Sequence, residues 1–129
     1  MGLDAWFYAS EEEFKTDPED AGAIVPVDEE SSKNAIEVGY FRKFRSLQGY
    51  MANLYCEKGG QDGIFNCKKV QLYEQDLKNL MEATMTDAFT TEDMPAQHSI
   101  YYKTGLPIIV HSALHLLKDG FTVYYDSWW

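Results

Sequence analysis

Between Ile36 and Tyr55 the apolar residues change their period, and that change commits the chain to a mixed fold. Ile36, Val38 and Tyr40 recur at every second position, as in a half-buried strand. Phe44, Leu47, Met51, Leu54 and Tyr55 then fall at steps of three and four, which predicts an amphipathic helix from Lys43 to Glu57. Gly59-Gly60 and Asp62-Gly63 end it in a turn. Leu3–Ala9, Cys67–Leu72 and Phe121–Tyr125 read as further strands, and Ser99–Lys103 as a short one. Glu74–Met85 reads as a helix with Leu77, Leu80, Met81 and Thr84 inward. Pro107 suits the first turn of a third helix running to Lys118 and stopping at Asp119-Gly120. This order predicts an α+β fold, a small, mainly antiparallel sheet with about three helices packed on it. With 129 residues, one domain spans the whole chain, 1–129.

Charge divides the chain unevenly. The net charge is −10, and residues 1–32 alone carry ten acids against Lys15. The middle, residues 33–78, carries eight bases against five acids. Pro18, Gly22, Pro26 and Ser31-Ser32 predict that residues 10–33 form a long acidic loop. Such a loop is either a solvated face or a phosphate-mimicking surface that steers a basic partner. Direct nucleic-acid binding is disfavoured, because it draws its affinity from cations. No membrane partner is expected either, since apolar runs such as Leu106–Val110 fall far short of the ~20 residues of a spanning helix. No signal-peptide pattern opens the chain, so an intracellular protein with Cys56 and Cys67 reduced and partly buried is expected.

No catalytic set can be assembled, and no cofactor is expected. His111 and His115 have helical metal-ligand spacing, but Ser112 stands where a zincin needs Glu. His98 is a possible third ligand from a loop, yet the pattern equally describes two surface histidines beside an apolar stripe. Lys68 and Lys69 follow Cys67, but alternation turns Lys68 away from the thiol. The binding signal is cationic and aromatic. Tyr40, Phe41, Arg42, Lys43 and Arg45 mark a strand-to-helix junction holding both arginines of the chain. Tyr101, Tyr102, Lys103 and Thr104 precede the expected third helix. Rings and phosphate-seeking donors at two helix starts describe a nucleotide pocket, or else tyrosines packing a core beside solvated cations.

Four segments carry a resemblance. Met1-Gly2-Leu3-Asp4, Glu37–Lys43 (EVGYFRK), Asn66-Cys67 and Val123–Trp129 (VYYDSWW) together resemble a family of short uncharacterised bacteriophage and prophage proteins. Members of that family usually have Trp where Phe41 stands, His where Gln48 stands, and a Gly-Phe-Phe-Phe-Gly-like run in place of Ser99–Lys103. The enzyme names some members carry, a glycolytic kinase among them, find no phosphate loop in this chain. The resemblance implies a phage accessory protein in the cytoplasm of an infected bacterial host. Combined with the aromatic–cation junctions, it leads to the expectation of a non-catalytic protein that sequesters a small anionic, nucleotide-type ligand to counter host immunity. The alternative expectation is an acidic inhibitor of a host nucleic-acid-binding or defence protein. Nineteen aromatic residues, ending in Trp128-Trp129, further predict a homodimer or higher oligomer, with those rings in the interface or folded back over the core.

Overall fold

A computed structural model describes residues 2–28, 35–86, 88–89 and 96–129, the last stretch with side chains from 102 onward. The fold is α+β, as expected. Four strands, β1 (Asp4–Ser10), β4 (Ile36–Arg42), β5 (Val70–Leu72) and β6 (Thr122–Trp128), form an antiparallel sheet in the order β4-β1-β6-β5. β1 is one of its two central strands, and strict alternation gives it two unlike faces. Ala5, Phe7 and Ala9 are buried on one face, while Trp6 and Tyr8 are half-buried on the other.

Helices α1 (Arg45–Glu57), α2 (Glu74–Met85) and α3 (Ala96–Lys118) cover the first face. Leu47, Met51 and Tyr55 of α1, Leu77 and Leu80 of α2, and Leu106, Val110 and Ala113 of α3 close on Phe7, Phe41, Val70, Leu72, Val123 and Tyr125. These helical residues recur at three- and four-residue spacing, so burying one stripe per helix drives the assembly more than intrinsic propensity does. At Gly39 a Cβ would come within 2.4 Å of Ile109, so this glycine is what lets α3 lie against β4. Among the described residues, no helix is long and apolar enough to cross a membrane.

The expected acidic loop is not a loop. Its described part forms a second, two-stranded sheet, the hairpin β2 (Phe14–Asp17) and β3 (Asp20–Pro26); residues 29–34 lie outside the description. Asp17-Pro18-Glu19-Asp20 makes the turn, with the Asp17 carboxylate accepting the Glu19 N–H at 2.9 Å. Proline at the second position of such a turn and an Asx bond at the first are the ordinary means of reversing a chain. The short strand expected at Ser99–Lys103 is instead part of α3, which starts eleven residues before Pro107; Pro107 therefore lies inside the helix rather than in its first turn. Cys67–Leu72 shortens to Val70–Leu72, because Cys67 takes a left-handed backbone (φ +60°) that breaks the strand. Both cysteines are unbridged, as expected, but exposed rather than partly buried.

Candidate functional site

The two segments expected to bind a ligand do meet, though largely through their rings. Alternation in β4 sends Phe41 into the core (1% exposed) and leaves Tyr40 and Arg42 on the far face. Phe41 stands edge-on to Tyr102 at 4.9 Å, and Phe44 stacks on Tyr102 at 5.4 Å. The Arg42 backbone N–H donates to the Tyr102 hydroxyl at 2.8 Å. Arg42, Lys43 and Arg45 are exposed. The nearby cavity, lined by Phe44, Thr84, Phe89, Tyr102, Lys103 and Leu106, has a volume of about 50 Å³. Small-molecule sites run to roughly 300 Å³ or more, so this one suits a water or two. Lys103 and Thr104 lie in the interior of α3, not at a helix start, which corrects the expected anion-binding N-terminus there. The Tyr101 side chain lies outside the described residues, as does that of His98.

The opposite face of the sheet holds what the sequence reading missed. Tyr40, Trp6, Tyr8, Tyr124 and Phe14 form one continuous row of ring contacts from β4 across β1 and β6 to the hairpin. Successive centroids are 5.6, 6.2, 5.5 and 5.2 Å apart. Among the described residues no helix covers this row, and its exposure falls toward the hairpin: Tyr40 is 41% exposed, Trp6, Tyr8 and Phe14 are half-buried, and Tyr124 is 2% exposed. Carboxylates are interleaved with the rings. Tyr40 donates its hydroxyl to Asp4, Asp126 stands opposite Trp6 in the register, and Glu37 stands opposite Tyr8. Burial, then the fields of Glu37 and Asp126, raise the Tyr8 hydroxyl above its usual range. Burial likewise raises Asp126, partly offset by Lys69 at 3.7 Å. At the hairpin end both Glu12 carboxylate oxygens are buried with no hydrogen-bond donor among the described residues.

A polar lock fixes the hairpin beside that row. Asp20 is buried and accepts the Tyr55 hydroxyl and, at 3.2 Å, the Gly22 N–H, with the Lys68 ammonium at 3.4 Å. The Tyr55 oxygen in turn accepts the Asp62 N–H at 3.0 Å. Burial works to raise Asp20, but the bonds from Tyr55, Gly22 and Lys68 outweigh it and hold the carboxyl below its ordinary range. The Ile24 N–H also donates to the Lys69 carbonyl at 2.9 Å. Gly22 and Gly60 touch backbone to backbone: a Cβ on Gly22 would lie 2.6 Å from Gly60, and one on Gly60 would enter the Tyr55 ring. Of the exposed acids, Glu19 stands in the turn of this anchored hairpin, Glu13 is tied to its end by the Val27 N–H donating to the Glu13 carbonyl at 2.9 Å, and Glu11 lies just before it.

The remaining candidates separate cleanly. His111 and His115 are exposed, with rings 5.3 Å apart, and among the described residues no group of three metal-ligating side chains forms. A groove of about 320 Å³ between α1 and α2 is lined by Tyr50, Asn53, Leu54, Glu57, Asp76 and Asn79; its charged lining is the two carboxylates, Asp76 being paired with Lys58 at 2.8 Å. Trp129 folds back onto the 65–66 segment: its N–H donates to the Asn66 side chain at 3.0 Å and its indole N–H to the Phe65 carbonyl at 3.1 Å. It stays 45% exposed and Trp128 61%, so neither is a core residue. No family model, curated protein or solved structure matches the chain.

Proposed function

We propose that the protein is a non-catalytic interaction module that occupies a basic surface on another protein. The observation that supports this reading is the lock of Asp20, Tyr55 and Lys68, which presents the acidic hairpin as a shaped surface rather than a free loop. Fixed charges bind without first having to be ordered. Proteins that bind nucleic acid carry basic surfaces of the complementary kind. The resemblance to phage accessory proteins would make the partner a host protein in an infected bacterium. Sequestration of a nucleotide-type ligand is the weaker reading, because the cavity beside Tyr102 and Lys103 is small and the α1–α2 groove is acidic.

The test is calorimetry against a ten-residue oligolysine peptide over a salt series. Binding is expected to weaken steeply with salt, and to fall about tenfold when Glu11, Glu13 and Glu19 are all changed to Gln. Salt-independent binding, or none, overturns the proposal. So does a thermal-shift response to any of a panel of cyclic, linear and ADP-ribose-type nucleotides that Arg42→Ala abolishes.

A further inference from the structure

We infer that the uncovered face of the sheet is an arginine-binding surface, on which an arginine-bearing segment of the partner protein lies across Trp6 and Tyr8 between Glu37 and Asp126. The inference rests on the proposed interaction with a basic partner and names the chemistry of that partner.

Trp6 and Tyr8 project from the same face of β1, nearly parallel at 18°, and none of the described elements covers them completely. Large rings left partly exposed side by side, with the exposed Tyr40 next to them, form the kind of contiguous patch that marks an interaction site. Their neighbours across the strands decide what that is. In the register Glu37 flanks Tyr8 on one side, and Asp126 flanks Trp6 on the other. Burial first, and then both of these carboxylates, raise the Tyr8 hydroxyl, so the two acids stand close enough to the ring to act on a cation laid against it. A planar cation meets both features at once. Guanidinium stacks on an aromatic face and forks to a carboxylate in its own plane, whereas ammonium is a compact, strongly hydrated point charge that does neither well.

Lys69 already pairs with Asp126 at 3.7 Å, so an incoming guanidinium would share that carboxylate or displace the ammonium from it, whereas Glu37 is exposed; Arg42 lies at the Asp4 end, beside Gly2. At the other end Glu12 offers a buried carboxylate that no described donor satisfies, which a second guanidinium in the same segment would reach by a small opening of the hairpin entry. The hairpin borders the open rings, its Phe14 packing on the buried Tyr124, so one basic segment would pass from the rings onto the hairpin acids.

The test compares two peptides of equal length and charge, ten-residue oligoarginine and ten-residue oligolysine, by calorimetry on the full chain. Oligoarginine is expected to bind about tenfold more tightly, as one guanidinium stacked on the rings and a second forked to Glu12 would give. Trp6→Leu should remove most of that preference. Because Trp6 also packs, Glu37→Gln, an exposed change that leaves folding intact, provides the second arm: it should lower oligoarginine affinity several-fold more than oligolysine affinity. The preference should survive neutralisation of Glu11, Glu13 and Glu19. Equal affinity for the two peptides, or a preference untouched by Glu37→Gln and Trp6→Leu, overturns the inference while leaving the acidic-surface reading in place. Failure of both peptides to bind overturns that reading and the inference with it.

Discussion

The two faces of the sheet are built from the same strands and the same kind of residue, and they behave differently. Inward, Phe7 meets Phe41 and Tyr125 edge-on at 6.3 and 5.5 Å beneath three helices. Outward, one residue along each strand, Trp6, Tyr8, Tyr40 and Tyr124 form an equally continuous row with carboxylates between them; among the described residues no helix lies above it, and only its Tyr124 end is buried, against Phe14 of the hairpin. Aromatic content alone therefore does not distinguish a core from a contact surface. What distinguishes them is the company the rings keep. A face meant for burial excludes charge, and a face meant for a partner carries charge that its own fold leaves available.

The largest effect should come from the inward face. Phe7→Ala is expected to cost about 3–5 kcal/mol in urea denaturation, against about 1–2 kcal/mol for Tyr8→Ala. Equal costs would break the comparison and make the outward row a second core. Next in size is the lock between the two surfaces, where Asp20→Asn should cost about 2–3 kcal/mol and speed hydrogen exchange at Ile24. Asp20 is held below the usual carboxylate range, so its stabilisation is complete above the unfolded value of about 3.9 and is lost as pH falls through the lower native value. The Asn variant should show a flatter acid limb than the parent. A smaller effect has the opposite sign. Glu12→Met removes a buried carboxylate without a described donor and should raise stability by about 1 kcal/mol while weakening oligoarginine binding. Glu37→Gln should shift stability by less than about 0.5 kcal/mol, so any loss of binding there reports on the face alone.

Local patterns carried much of this fold. α2 begins and ends where its periodicity predicts, and α1 starts within two residues of expectation, because each has a full apolar stripe to bury. The hairpin escaped because Phe14 stands between Glu13 and Lys15, because Gly22 and Pro26 flank the adjacent Ile24 and Val25 and break any alternation, and because Asp17-Pro18 reads as punctuation in a loop as readily as a hairpin turn. Ile100, Tyr101 and Tyr102 look β-like in isolation, yet Tyr102, Leu106, Val110 and Ala113 share one helical stripe that Pro107 does not interrupt. At the site, the alternation of β4 was legible but its phase was not: Ile36, Val38 and Tyr40 read as the apolar face and Phe41 as a binding residue, whereas Phe41 is buried and Ile36 and Tyr40 are exposed. The contact between Arg42 and Tyr102 joins positions 60 residues apart, which no local pattern encodes. The outward row was overlooked for a related reason: β1 is aromatic on both faces, so its alternation shows only when the two faces are given different neighbours.

The contact between Gly22 and Gly60 sets how the hairpin moves as well as where it lies. A junction made by side chains can relax by changing rotamers, but one made by two backbones has no such freedom. Motion of the acidic strands is thereby tied to the end of α1, and their backbone order parameters should sit near the ~0.85 of rigid structure rather than in the range of a tethered loop. Gly22→Ala would loosen that tie without altering a single charge. It would turn a surface of fixed outline into a fluctuating one, so the value of the acids to a partner depends on a residue that carries no side chain at all.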